Sequence, residues 1–209
     1  MKRLDASPPL RARYGHAAAF HSHSVWILGG FLAQTSPTST DSSFSSDVWR
    51  VNLQSCSSPN ALCLLPEQVT VKASWSSRYN HAAVSHRAAL MVLGGQAEGG
   101  RSFNDVWQSS DGDLWTQVTA SAAWSRRRSG HALVAFKDHL LVIGGRLEDA
   151  MISREVWVSA DGSSWSQWSP PAGFVKITQF GAAVNNGTQL LMFGGRSFNE
   201  VENSFWVIE

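Results

Sequence analysis

Three histidines, His16, His81 and His131, each stand thirteen residues ahead of a Gly-Gly pair. Equivalent histidines in successive segments are how a chain would write a symmetric metal site, because neutral imidazole is a common ligand for transition metals. They are equally how it would write a hydrogen bond repeated to a neighbouring turn. The two cysteines, Cys56 and Cys63, flank SSPNAL with no His or Asp pair nearby, which supplies too few ligands for zinc. A local disulfide and two reduced thiols are both open readings of that pair. No nucleophile elbow, phosphate loop or metal-binding helix motif occurs. The expectation is therefore no catalytic residue, no metal and no cofactor.

The elements that must position these residues are repeated. HAAAFHSHSVWILGGF (16–31), HAAVSHRAALMVLGGQ (81–96) and HALVAFKDHLLVIGGR (131–146) are copies of one segment, and GAAVNNGTQLLMFGGR (181–196) is a weaker fourth. The glycine pairs at 29, 94, 144 and 194 step by 65, 50 and 50 residues, a period that means stacked or radial units. Two insertions rich in Ser, Thr, Asn and Pro, LAQTSPTSTDSSFSS and SCSSPNALCLLPEQ, account for the longer first step and read as solvated loops.

Within a unit the apolar period is two. AVSHRAALMVLGG reads as strand, polar tip, strand, and NDVWQSSDGDLWTQV as a third and fourth strand around an Asp-Gly turn. Asp111-Gly112 and Asp161-Gly162 are expected to form type I′ hairpins. Trp107, Trp115, Trp157 and Trp165 fall at matching places and read as packing between sheets. No stretch shows capped helical periodicity, so the chain is expected to be all-β. The units run approximately over 13–75, 78–124, 128–168 and 179–209, within one domain spanning 1–209.

A unit of this length with RYGH or RYNH, an apolar strand closed by Gly-Gly, then DVW and a spaced second Trp, resembles the kelch repeat, including that of the galactose-oxidase central domain. The resemblance implies a β-propeller of four blades, each of about four antiparallel strands, as a closed ring or as an arc of a larger one. Residues 2–6 are placed to complete the last blade beside 204–208. It also implies a binding scaffold whose ligands meet the residue after Gly-Gly (Phe31, Gln96, Arg146, Arg196) and the residue two before the Gly-His place (Arg13, Arg78, Arg128 and the non-matching Gln179). Five of these eight are arginine, a planar fork suited to carboxylates or phosphates, so an acidic ligand on one face is expected. The opposing expectation is that the arginines pair with acids such as Asp105 and Glu155. The enzymatic alternatives within the resemblance are a sialidase-like hydrolase, a sugar epimerase and a copper oxidase. Tyr14 and Tyr79 sit at equivalent repeat positions, and both cysteines lie in an insertion, which does not suit the oxidase chemistry.

Seventeen basic against sixteen acidic residues give a net charge of +1, which excludes a global field for nucleic acid or an anionic membrane. No apolar run is long enough for a membrane helix, and MKRLDASPPLRAR has no apolar h-region of a secretory signal. A soluble domain of unassigned compartment follows. The expected partner is a protein, peptide or glycan, with self-association if the propeller is open. Asn186-Gly187-Thr188 is a glycosylation sequon at an expected hairpin tip.

Overall fold

The structure, a computed structural model, describes residues 10–34, 43–52, 66–124, 129–147, 149–170, 173–174, 176–197 and 200–209. Cys56, Cys63, Arg128 and residues 2–6 lie outside these, and with them both readings of the cysteine pair and the expected completion of the last blade.

The alternating segments become four antiparallel sheets. Blade 1 contains β1 (Arg13–Tyr14), β2 (Ala17–His21), β3 (Ser24–Leu32), β4 (Ser43–Asn52) and β5 (Pro66–Thr70). Blade 2 contains β6 (Ala82–His86), β7 (Ala89–Leu93), β8 (Val106–Ser109) and β9 (Thr116–Thr119). Blade 3 contains β10 (Ala132–Phe136), β11 (His139–Ile143), β12 (Val156–Ser159) and β13 (Ser166–Trp168). Blade 4 contains β14 (Gly181–Asn185), β15 (Gln189–Phe193) and β16 (Phe205–Ile208). Strand order in blades 2 to 4 follows the sequence, and the only helical element among the described residues is the 3-10 turn Glu98–Gly100. The molecule is an all-β, four-bladed β-propeller.

The first hairpin of blades 1 to 3 closes through two residues of positive φ: Ser22-His23, Arg87-Ala88 and Lys137-Asp138, at 47° and 60° in each case. These are the type I′ turns that match strand twist. In blade 4, Asn185 instead pairs with Gln189 across Asn186, Gly187 and Thr188. That tip is one residue longer, so β14 slides by one against β15. The fourth unit is consequently read wrongly from spacing. Phe180, not Gly181, occupies the histidine place, because a Cβ on Gly195 would meet the Phe180 Cβ at 2.8 Å just as one on Gly95 would meet that of His81 at 2.6 Å. Ile177 takes the place of Arg78, its carbonyl receiving the Gly145 amide as Arg78's receives that of Gly30.

Period two gives each sheet two apolar faces, and successive blades bury them against each other. Trp26, Leu28 and Val48 of blade 1 meet Leu90, Val92 and Trp115 of blade 2. Met91, Leu93 and Val106 of blade 2 meet Leu133, Leu140 and Val142 of blade 3. Leu141, Ile143 and Val156 of blade 3 meet Leu190 and Met192 of blade 4. Tryptophans stack within the first two seams, Trp75 on Trp115 at 5.9 Å and Trp124 on Trp165 at 5.8 Å, both edge to face.

The Asp-Gly segments tie blade to blade and are not type I′ turns. Only the glycine has positive φ, and β8 and β9 are separated by Ser110–Trp115, a six-residue loop. Ser109 Oγ accepts the amides of Asp111 and Gly112, and Asp111 Oδ1 accepts those of Asp113 and Leu114. These amides hold the Asp111 carboxyl below its ordinary pKa. The loop leans on the preceding blade: Thr70 of blade 1 donates to the Gly112 carbonyl at 3.0 Å, and Thr119 of blade 2 to that of Gly162 at 2.9 Å.

At Gly112 a Cβ would lie 2.1 Å from the Trp26 ring, and φ is +78°. Gly112→Ala should cost about 2–4 kcal/mol through strain plus overpacking. Gly99→Ala, at φ +73° with nothing within 4 Å, should cost only about 1–2 kcal/mol. Urea unfolding of the two variants checks the difference, and equal losses would contradict a close contact between loop and blade.

Candidate functional site

The chain enters the inner strand of each blade through a residue of positive φ: Gly15 (62°), Asn80 (51°), Gly130 (62°) and Gln179 (55°). These residues relay backbone hydrogen bonds from blade to blade. The Asn80 amide donates to the Gly15 carbonyl at 2.7 Å, Gly130 to Asn80 at 2.9 Å, and Gln179 to Gly130 at 2.8 Å. Beside this relay, the residue after each Gly-Gly pair is fixed by two reciprocal backbone bonds. Gln96 pairs with Tyr79, Arg146 with Ser129, and Arg196 with Thr178, at 2.8–3.0 Å. In blade 1, Phe31 pairs with Tyr14 in the same register.

A cavity of about 490 Å³ opens on this surface, lined by Tyr79, Asn80, Gln96, Ser129, Gly130, Arg146, Ala150, Ile152, Thr178, Gln179, Arg196 and Ser197. Its size lies within the usual range of ligand sites. Four of the eight sequence-selected residues line it: Gln96, Arg146, Gln179 and Arg196. Gln179 arrives there as the register equivalent of Asn80 and Gly130, not of the arginines. Arg146 and Arg196 are exposed, and neither forms an ion pair or side-chain hydrogen bond among the described residues. Gln96 is held by Tyr79, whose hydroxyl donates to its Oε1 at 3.0 Å, and by donation from its Nε2 to the Gly100 carbonyl at 2.9 Å.

Phe31 belongs to a different part of the same face. It packs at 5.1 Å on Tyr14 and 5.2 Å on Phe44, and Phe44 packs at 5.2 Å on Tyr79, so an aromatic group runs up to the cavity wall. Positions after Gly-Gly thus pass from aromatic in blade 1, through amide in blade 2, to cationic in blades 3 and 4.

Arg13 and Arg78 are not available to a ligand, which corrects the expectation carried by the resemblance. Arg78 is fully buried and grips Asp105 with both nitrogens, at 2.7 and 2.8 Å, while its Nη1 also donates to the Gly94 carbonyl at 2.7 Å. Arg13 grips Asp47 at 2.7 and 2.9 Å and donates to the Gly29 carbonyl at 3.0 Å. The acid is the first residue of the DVW motif and also accepts the indole N–H two residues on, from Trp49 at 2.6 Å and Trp107 at 2.8 Å. Burial pushes the Asp47 carboxyl up, but bonds from Arg13, Ser45 and Trp49 outweigh it and hold its pKa below the ordinary value.

His81 and His131 are buried packing residues, whereas His16 is exposed. His81 is buried, with its ring 5.8 Å from that of Trp75, and its Cε1 would lie 3.1 Å from a Cβ on Gly29 of blade 1. Among the described residues no group of three or more His, Cys, Asp or Glu is arranged to hold a metal. Ser129, Thr178 and Tyr79 were not selected from the sequence. Their signal lies in carrying the strand pairing one residue past Gly-Gly and reading the partner opposite.

Blades built on Gly-Gly closures, each buried arginine locked to the acid of a DVW motif, are those of a kelch-type β-propeller. The family model of the KLHDC2/KLHL20/DRC7 Kelch-repeats domain matches residues 15–209, and the chain belongs to that family. No curated protein matches the chain. Kelch domains serve generally as protein-interaction scaffolds. No helix among the described residues is long and apolar enough to cross a membrane.

His81 titration yields a pH prediction. Burial, then the Arg78 guanidinium, then His131 and His16 hold its pKa well below 6.5, so the folded state keeps it neutral. Below about pH 6.5 the unfolded chain binds the proton and the folded chain does not, so stability falls with falling pH by up to about 1.4 kcal/mol per unit. The melting temperature should drop as pH is lowered from about 7.5 to about 5.5, and drop less in His81→Phe, the residue type that blade 4 carries at this place. Identical pH profiles for the two proteins would refute the assignment.

Proposed function

We propose that this kelch domain binds an acidic segment of a protein partner, with Arg146 and Arg196 receiving its carboxylates. The observation that carries this reading is that two exposed arginines, without acidic partners among the described residues, share one cavity while the repeat's other described arginines are consumed inside the blades. Guanidinium groups recognise carboxylates through paired N–H donors. The hydroxyls of Ser129 and Thr178, and the amides of Gln96 and Gln179, offer further polar partners on the cavity wall. The aromatic group from Phe31 to Tyr79 suits an apolar side chain next to the acidic residues.

Binding is stereochemically economical because the residues after Gly-Gly are held by the backbone bridges before any ligand arrives. No general acid, base or nucleophile is needed in this reading. An anionic glycan presents carboxylates too, and serves as the comparison arm of the test.

The test is fluorescence polarisation against labelled peptides of graded acidity and against anionic oligosaccharides. Acidic peptides with a flanking aromatic residue should bind best. Arg146→Glu with Arg196→Glu should weaken them by roughly tenfold to a hundredfold, given about 1.5–3 kcal/mol for a charge-assisted hydrogen bond. Binding that ignores the double reversal, or that prefers oligosaccharide, would overturn the proposal.

A further inference from the structure

The three seams between blades use the same strand positions. The outgoing face of a blade presents Leu28, Leu93 or Ile143 on its second strand and Val48, Val106 or Val156 on its third, and all six are 0% exposed. Blade 4 has Phe193 and Phe205 at these places, directly paired in register, and they are 52% and 63% exposed. Val207 beyond them is 46% exposed. The incoming face of a blade presents Leu90, Leu140 or Leu190 and then Val92, Val142 or Met192, at 0% or 1% exposure. Blade 1 has Val25 and Ile27 there, only half-buried, and beside them on β2 Phe20 is 61% exposed. Among the described residues no apolar cluster joins blade 4 to blade 1.

Among the described residues, both halves of an additional seam are therefore present and uncovered. We propose that blade 4 of one copy docks on blade 1 of a second copy, head to tail, and continues the propeller packing between molecules. What fits an outgoing face in this molecule is an incoming face, as three seams demonstrate, and the chain's own uncovered incoming face is that of blade 1. Phenylalanines stand in place of Leu or Ile and Val on the outgoing side, while on the incoming side Val25 stands in place of leucine, Ile27 in place of Val or Met, and Phe20 in place of Ser85, Ala135 or Val184, so both faces are apolar. Neither face carries a charge at these positions that docking would have to desolvate. Such a contact is heterologous, using a different patch on each copy, so it builds a closed pair if the geometry returns on itself and a longer array otherwise.

Sedimentation velocity on the whole chain across a concentration series tests this. The wild type should move from one chain toward two or more as concentration rises. Phe205→Glu, which charges the outgoing face, and Phe20→Glu, which charges the incoming one, should each sediment as monomers with unchanged circular dichroism. Their equimolar mixture should form a dimer, because each variant retains the face that the other has lost. A wild type that is monomeric at every concentration would overturn the proposal, as would variants that still associate or a mixture that stays monomeric.

Discussion

The close approach of the paired glycines to the strand before them is the constraint on which the rest of the structure depends. A Cβ on the second glycine would meet that of His16 at 2.9 Å, of His81 at 2.6 Å, of His131 at 2.7 Å and of Phe180 at 2.8 Å. No other residue type fits, and φ there is +90° to +107°. Because the backbone passes so closely, the first glycine's carbonyl is presented to the interior in blades 1 and 2, where Arg13 and Arg78 take it. The same turn throws the next residue out onto the surface that bears the cavity. One backbone geometry thus fixes an inner arginine and an outer side chain at once.

The proposed function rests on how that geometry divides the arginines. A buried guanidinium with two carboxylate oxygens, a backbone carbonyl and an indole-bonded acid in its shell is held too firmly to exchange partners. Removing it would strand a buried carboxylate, which is why such pairs persist whatever their net contribution to stability. An arginine after Gly-Gly has its backbone fixed by a bridge and its side chain in water. Only the second kind can trade solvent for a ligand.

The fold is legible in the sequence because three of its determinants are local: the period of two, the Gly-Gly pairs and the spacing of tryptophans. What escapes is whatever one residue can shift. Thr188 lengthens a hairpin tip, slides β14, and moves the histidine place from Gly181 to Phe180 and the arginine place to Ile177. Asp111-Gly112 has the composition of a tight hairpin, yet Ser109 and Asp111 cap a wider loop whose shape is set by contact with Trp26. At the site, Gln96, Arg146 and Arg196 are recoverable from their place after Gly-Gly. The burial of Arg13 and Arg78 is not, since it depends on an acid 34 or 27 residues away in a strand that must first be placed.

The most direct test sets one arginine of each kind side by side. Urea unfolding of Arg78→Ala should show a loss of about 3–5 kcal/mol, as expected when a buried acid loses its partner. Arg146→Ala should stay within about 0.5 kcal/mol of the wild type, as for an exposed side chain without structural contacts. A comparable loss in both variants, or a tolerated Arg78→Ala, would contradict the division of the repeat's arginines into those that hold the blades and those that stand in solvent.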